Sequence, residues 1–299
     1  MAKPGQRQDT PNRAEWQQIF EQAFSGFARH EYQKIVLARK STFTFSEDAK
    51  PFLMKKYLKG VTPECFHFCF QAQPGHVFIG ASPERLYKRE GRSLQTEALA
   101  GTRTKKGKGR APSLSAWDGE QKANLKREDT NDWRLAAGDN QSLLDSPKDL
   151  LEHKYVVDAI EESLRPLCAS LNIGKKPFVL DLNWGEHLKT EIQATLNNEV
   201  TDAQLLEALH PTPAVAGYPV EKVLPLIKKF EPFSRGWYAG LFGYVGQDTT
   251  EFTVAIRSGL INKNRITLFA GAGILLESSC EGEWNEIEQK MNSFLKVFV

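Results

Sequence analysis

FHFCFQAQPGHVFIGAS, residues 66–82, decides the class of the fold. Two runs rich in aromatic and β-branched residues flank Pro74-Gly75, the composition of two antiparallel strands and the tight turn between them. Downstream, LYKREGRSLQTEALAG (86–101) repeats the pattern and predicts a second hairpin. Upstream, KIVLARKSTFTF (34–45) reads as a strand, and before it Trp16, Ile19, Phe20, Ala23 and Phe27 recur at the spacing of one helix face. Toward the other end of the chain, two strands flank Asn262-Lys263-Asn264. A final helix from about Glu283 carries the apolar stripe Trp284, Ile287, Met291, Phe294 and Phe298. In between, Ser146-Pro147-Lys148-Asp149 opens a helix: Ser caps it, Pro fits the first helical position and Asp149 is placed for a capping box. A strand is expected over 178–183 and short helices over 202–209 and 219–229. Helices and strands mix without regular βαβ alternation or internal repeat, which makes the chain α+β.

The 299 residues are 40% hydrophobic and 25% charged, an ordinary globular balance. A net charge of +2 gives no reason to expect nucleic acid as a partner. No run of about 18 apolar residues predicts a membrane span, and MAKPGQRQDTPNRAEW lacks an apolar signal core. Cys65, Cys69, Cys168 and Cys280 form no CxxC pair and no metal-ligand cluster, which suits a reducing, cytoplasmic setting. Residues 1–15 read as a flexible N-terminal tail and 16–299 as one domain. Within that domain 103–142 is polar, densely charged and weakly periodic, a long surface insertion whose glycines do not match a phosphate loop.

Acidic residues recur at helical spacing in two places. Asp149 and Glu152 share one helix face, and Glu283, Glu286 and Lys290 share another. Such faces are either solvated surfaces with i,i+4 pairing or two carboxylate arms aimed at one hard cation. Mg²⁺ takes one or two carboxylates and fills its remaining positions with water and substrate oxygen. In TVAIRSGLI (253–261), strand alternation sets Arg257 among small residues, opposite Phe252, Val254 and Ile256. It is read either as a surface arginine or as a bidentate grip on a ligand carboxylate. Lys34 opens an apolar strand and, if buried, is a candidate base. Ala270-Gly271-Ala272-Gly273 reads as a turn that brings backbone N–H groups close to an anion. ALAGT (98–102) is similar, with Thr102 as a donor, while His210 sits in proline-dense HPTPAVAGYP (210–219) and Glu84 at a strand–loop junction. No GxSxG is present, which argues against nucleophilic hydrolysis. The inventory suits a small polyanionic substrate held with Mg²⁺.

In order and wording, KIVLAR, GASPERL, TEALAGTR, KDLLEH, LHPTPAVAGYP, EPFSRGWYAGLFGY, VAIRS, AGAGI and EWNEIEQK resemble the chorismate-binding enzymes. That family includes isochorismate, salicylate, anthranilate and aminodeoxychorismate synthases. The resemblance runs from about Trp16 to Val299 and leans toward isochorismate synthases of the menaquinone and siderophore type. It implies large, layered, mainly antiparallel β-sheets with helices packed outside. The activity it implies is Mg²⁺-dependent isomerisation of chorismate, by water addition at C2 and loss of the C4 hydroxyl.

Carried over position by position, Lys34 resembles the base that activates water and Glu84 the acid that protonates the leaving hydroxyl. Glu152 and Glu286 resemble the Mg²⁺ ligands, with Asp149 and Glu283 supporting the metal through waters. Arg257 and Tyr238 resemble the grip on the enolpyruvyl carboxylate, where Gly271 and Gly273 donate N–H groups and Lys290 adds positive charge. Thr102 and His210 resemble ring contacts. A lysine at position 34 is similar to the water-using members, and Ala100 stands where aminodeoxychorismate synthases carry a lysine nucleophile. A salicylate or anthranilate synthase, or a non-catalytic truncated subunit, are the alternatives. Family members carry a further N-terminal segment, so a missing partner segment is an expectation, and the 103–142 insertion is longer than the family connection.

Overall fold

A computed structural model describes residues 4–104, 142–182 and 185–295. Strand β1 (Pro4–Thr10) leads into helix α1 (Arg13–Ala28). Asn12 caps that helix in a full capping box with Glu15, and Trp16, Phe20, Ala23 and Phe27 form its buried face. Strand β2 (Lys34–Phe45), helix α2 (Pro51–Val61), strands β3 (Phe66–Gln73) and β4 (His76–Ser82), and strands β5 (Arg85–Glu90) and β6 (Ser93–Thr104) follow. Helix α3 (Pro147–Leu164) precedes strands β7 (Cys168–Ile173), β8 (Phe178–Leu182) and β9 (Gly185–Leu196). Helix α4 (Asp202–Leu209), the short strand β10 (Gly217–Tyr218) and helix α5 (Val220–Phe230) come next. The chain continues through β11 (Leu241–Val245), β12 (Thr249–Val254), β13 (Ser258–Asn262) and β14 (Arg265–Ile274) to helix α6 (Cys280–Leu295). Among the described residues no helix is long and apolar enough to cross a membrane.

The strands form two antiparallel sheets. The first runs β1-β2-β14-β13-β4-β3 with β10 on β2, and the second runs β11-β12-β5-β6-β9-β7 with β8 on β9. Helices α1, α5 and α6 cover one face of the first sheet, where Trp16, Ile35, Leu37, Val223, Ile227, Leu268, Trp284 and Ile287 share a core. Helices α3 and α4 cover the second sheet through Val156, Ile160, Leu164, Leu205 and Leu209 against Leu94, Ala98 and Ile192. Pleating divides β2 between two environments: Ile35 and Leu37 face the helices, while Ala38 joins the other core. The architecture is the layered α+β arrangement expected.

Four expectations are corrected. The stretch read as a flexible tail contains β1, which pairs with β2 from Thr10↔Lys40 to Pro4↔Phe45. Its polar side chains hid the strand, but they have partners: Arg7 pairs with Glu288 on α6, and Asp9 accepts from the Ser41 hydroxyl. TVAIRSGLI is not one strand, because β12 ends at Val254 and β13 starts at Ser258, with Arg257 in the left-handed region at φ 48°. Ala270–Gly273 is not a turn but the interior of β14, in register with β2 as Gly271↔Ala38 and Gly273↔Val36. The predicted capping box at α3 is half formed: the Ser146 side chain accepts from the Asp149 N–H. Strands β7, β9, β10 and β11, the start of β12 and helix α2 were not anticipated. In β9 the alternation was present, with Glu191, Gln193 and Thr195 exposed between buried Ile192, Ala194 and Leu196. Apart from its two ends, the 103–142 insertion lies outside the described residues, as does Phe298.

Candidate active site

A cleft is lined by Glu84, Thr102, Glu152, Tyr238, Arg257, Gly271, Gly273 and Lys290, eight of the sequence-selected residues, together with His187. Its apolar wall includes Val36, Leu99, Ala100, Val215 and Ile256.

Lys34 opens β2, is fully buried, and places Nζ 3.0 Å from Glu152 Oε1 on α3. Gly273 makes room for this pair: a Cβ there would collide with Glu152 Oε1 and lie 2.8 Å from Lys34 Cε. On α6, Lys290 Nζ pairs with Glu286 Oε1 at 2.6 Å and donates to the Gly271 carbonyl at 2.8 Å. Lys148 on α3 crosses to Glu283 on α6 at 2.7 Å. Four carboxylates (Asp149, Glu152, Glu283, Glu286) thus gather with three lysines (Lys34, Lys148, Lys290). Burial pushes the Glu152 carboxyl up, but Lys34, Lys290 and Lys148 outweigh it and hold it below the usual range. Burial and the neighbouring Glu286 push Glu283 up to about 7, and burial also raises Asp149.

The donor set fits a hard cation. When ionised, four carboxylates against three lysines leave one net negative charge, and the donors are all oxygen on two helices beside one cleft. Among the described residues no cluster of three or more metal-ligating side chains stands ready. A cation here would therefore take one or two carboxylates and complete its shell with water or ligand oxygen, the habit of Mg²⁺.

Glu84 lies on the connection between β4 and β5, 4% exposed, and accepts from the Thr212 hydroxyl at 3.1 Å. Burial pushes its carboxyl up to about 7, helped by the charge of Glu97 and opposed by Thr212 and Lys34. A carboxylic acid poised there can give up a proton near neutral pH.

Arg257 and Tyr238 meet the edge of β14. Burial brings the Arg257 guanidinium down to about 10 and raises the Tyr238 phenol to about 12. Tyr238 stacks on Phe269 at 5.5 Å, and a Cβ at Gly271 would sit 3.1 Å from its hydroxyl. The N–H groups of Val36 and Ala38 point away from β14, to Ala216 O and Glu231 Oε1. By antiparallel geometry their partners Gly273 and Gly271 turn their own N–H groups away from β2. Strand β13 has already ended at Ser258↔Phe269, so those groups face the cleft. Arginine, phenol and bare amides on one rim make a carboxylate cradle.

Thr102 reaches the cleft because Gly101, at φ 73°, sits in the irregularity that breaks the β6–β9 register between Ala100 and Thr102. Its hydroxyl lies 3.1 Å from His187 Nδ1. His187 Nε2 is buried without a hydrogen-bond partner in the described structure, and burial keeps the ring's pKa well below the usual range. This neutral histidine was missed in the sequence; the alternation of β9 was the signal that pointed to it. His210 is not brought to the cleft. It ends α4 and lines a separate groove with Leu209, Pro211 and Tyr218, where burial lowers its pKa to about 4. The expectation of a ring contact fails because the rigid proline loop presents Ala214 and Val215 to the cleft instead.

Residues 2–296 match the family of chorismate binding enzymes. Isochorismate synthase MenF of Haemophilus influenzae is 34% identical over 290 residues, 96% of this chain and 61% of that protein. The salicylate biosynthesis isochorismate synthase of Pseudomonas aeruginosa is 34% identical over 282 residues, 94% of this chain and 54% of that protein. Among solved structures, the menaquinone-specific isochorismate synthase MenF from Escherichia coli superposes with a TM-score of 0.83 at 32% identity, covering 100% of this chain and 64% of that one. The chain spans 54–61% of the length of these two curated relatives.

Proposed function

The chain belongs to the chorismate-binding enzyme family, and on that premise we propose that it carries isochorismate synthase activity: Mg²⁺-dependent isomerisation of chorismate to isochorismate. The supporting observation is a fully buried lysine, Lys34, 3.0 Å from the cleft residue Glu152, together with a cleft carboxyl poised near neutrality, Glu84. In this reading Lys34 is the base that takes a proton from the water that adds at C2. Glu84 donates a proton to the C4 hydroxyl, which leaves as water, so atoms and charge balance. Arg257, Tyr238 and the amides of Gly271 and Gly273 hold the enolpyruvyl carboxylate, with Lys290 adding positive charge. Thr102 and His187 face the ring. Glu152 and Glu286 are the residues that would hold Mg²⁺, which would neutralise the ring carboxylate and the charge developing in the conjugated system. Asp149 stands in reserve through water.

The test is incubation of the folded chain with chorismate and Mg²⁺, with products separated by chromatography. Isochorismate without pyruvate, lost on chelation and in Lys34→Ala and Glu84→Gln, is the expected result. Pyruvate release would move the chain to the salicylate or anthranilate branch, and no turnover by folded protein would overturn the reading.

A second reading, that the cleft works only when further polypeptide covers the sheets, is favoured by the two edges. Strands β3 and β11 end their sheets. On or beside them Phe70, Trp237, Tyr244 and Val245 are exposed. Such edges accept added strands. Activity that appears only on supplying the remaining length of the relatives would support it.

A further inference from the structure

Helices α3 and α6, which carry Glu152 and Glu286, rest on different sheets: α3 packs on β6 and β9, and α6 chiefly on β14. Apart from a small contact of α6 with β6, no shared sheet sets the distance between the two carboxylate arms. Lys148 and Glu283 join the helices directly, Nζ to Oε1 at 2.7 Å. Each lies one turn before the arm on its own helix, Lys148 four residues before Glu152 and Glu283 three before Glu286. Glu283 is 1% exposed, so its carboxylate is fixed by packing. The pair is the crossbar of a continuous frame: Lys34 ties β2 to Glu152, Lys148 ties α3 to α6, and Lys290 ties Glu286 to the β14 carbonyl of Gly271.

We propose that Lys148 is a positioning residue whose bridge to Glu283 sets the separation of Glu152 and Glu286 and thereby the affinity and size selectivity of the cation site. The proposal rests on Glu152 and Glu286 being the cation ligands. It also gives Glu283 a role beside water-mediated support: its Oε1 accepts from Lys148, while Oε2 has no hydrogen-bond partner in the described structure. Electrostatics and positioning make opposite predictions here. Removing a positive charge near a cation site tightens cation binding if only charge matters, whereas removing the crossbar weakens it. Outer partners of metal ligands typically contribute about 10–100-fold in affinity.

The experiment is calorimetric titration of the folded, full chain with Mg²⁺ alone and with Ca²⁺ alone, for the wild type, Lys148→Met and Lys148→Arg. Positioning predicts Mg²⁺ binding about 10–100-fold weaker in Lys148→Met. In Lys148→Arg the charge stays but the bridge lengthens, so the preference shifts toward Ca²⁺, whose longer and more flexible shell suits a wider gap. This variant also keeps the test alive if Lys148→Met does not fold. Equal or tighter Mg²⁺ binding in Lys148→Met, or an unchanged Mg²⁺/Ca²⁺ ratio in Lys148→Arg, overturns the proposal. Absence of Mg²⁺ binding by the wild type overturns the ligand assignment itself, and the crossbar with it.

Discussion

Lys34 and Glu152 meet at 3.0 Å over a position that has no side chain, Gly273. The glycine is not needed for its backbone angle, since it lies within a regular strand. It is needed for space. Gly273→Ala should therefore fold, because alanine suits β14, but its methyl would push Glu152 away from Lys34. We expect turnover to fall by about 100-fold, within the range that general-base misplacement produces. A melting curve and a chorismate assay on the same preparation check this; full activity in Gly273→Ala would show that the pair is not part of the site.

If Glu84 is the acid of the proposed reaction, turnover depends on pH. Its carboxyl, pushed up to about 7, is protonated below that value and loses its proton above it. An acid-catalysed departure of the C4 hydroxyl should therefore slow as pH rises through about 7, and a rate that climbs steadily from pH 6 to 9 would contradict the role. Stability shifts the same way. The folded state holds the Glu84 proton more tightly than the unfolded chain, so below about pH 4.5 nothing is lost. The penalty accumulates as pH rises toward 7 and levels off at roughly 3 kcal/mol. Glu84→Gln should abolish activity yet gain stability at pH 8 relative to pH 5, measured by denaturant titration.

Arg257 offers a planar fork that a lysine cannot copy. Arg257→Lys keeps the positive charge and loses the bidentate contact to a carboxylate. If that contact is made equally in ground and transition states, KM rises about 10–100-fold with little change in kcat. A kcat loss at unchanged KM would place Arg257 elsewhere in the reaction.

Strand β1 is tied to β2 and to helix α6. Arg7 shares Glu288 with the fully buried Arg39, and Asp9 accepts from Ser41. Removing residues 1–10 strips both contacts and leaves a new bare edge on β2. The melting temperature should fall by several degrees, at about 2–4 °C per kcal/mol for a domain of this order of size. An unchanged melting temperature would return these residues to the status of a tail.

Much of this protein was legible in the sequence. The hairpin β3–β4 and the strand β2 are written in local composition, because Pro-Gly turns and β-branched runs bias the backbone over a few residues. Helix α3 announces itself through Ser146 and Pro147, which satisfy and replace the first orphan N–H groups. The polar strands β1 and β9 escaped notice because their identity depends on partners rather than on their own hydrophobicity.

The sequence by itself determined the kinds of group available: carboxylates at helical spacing, a lysine at a strand start, an arginine, and glycines. Local spacing dictates which side chains share a face, and nothing distant can change that. Only the tertiary structure decided which of them meet. It joined Lys148 to Glu283 across 135 positions and broke the strand at Arg257. It also chose His187 over His210 as the histidine of the cleft. Those choices follow from how two sheets and their helices stack. Contact between far-separated residues is fixed by burial of the whole apolar surface, which no local pattern encodes.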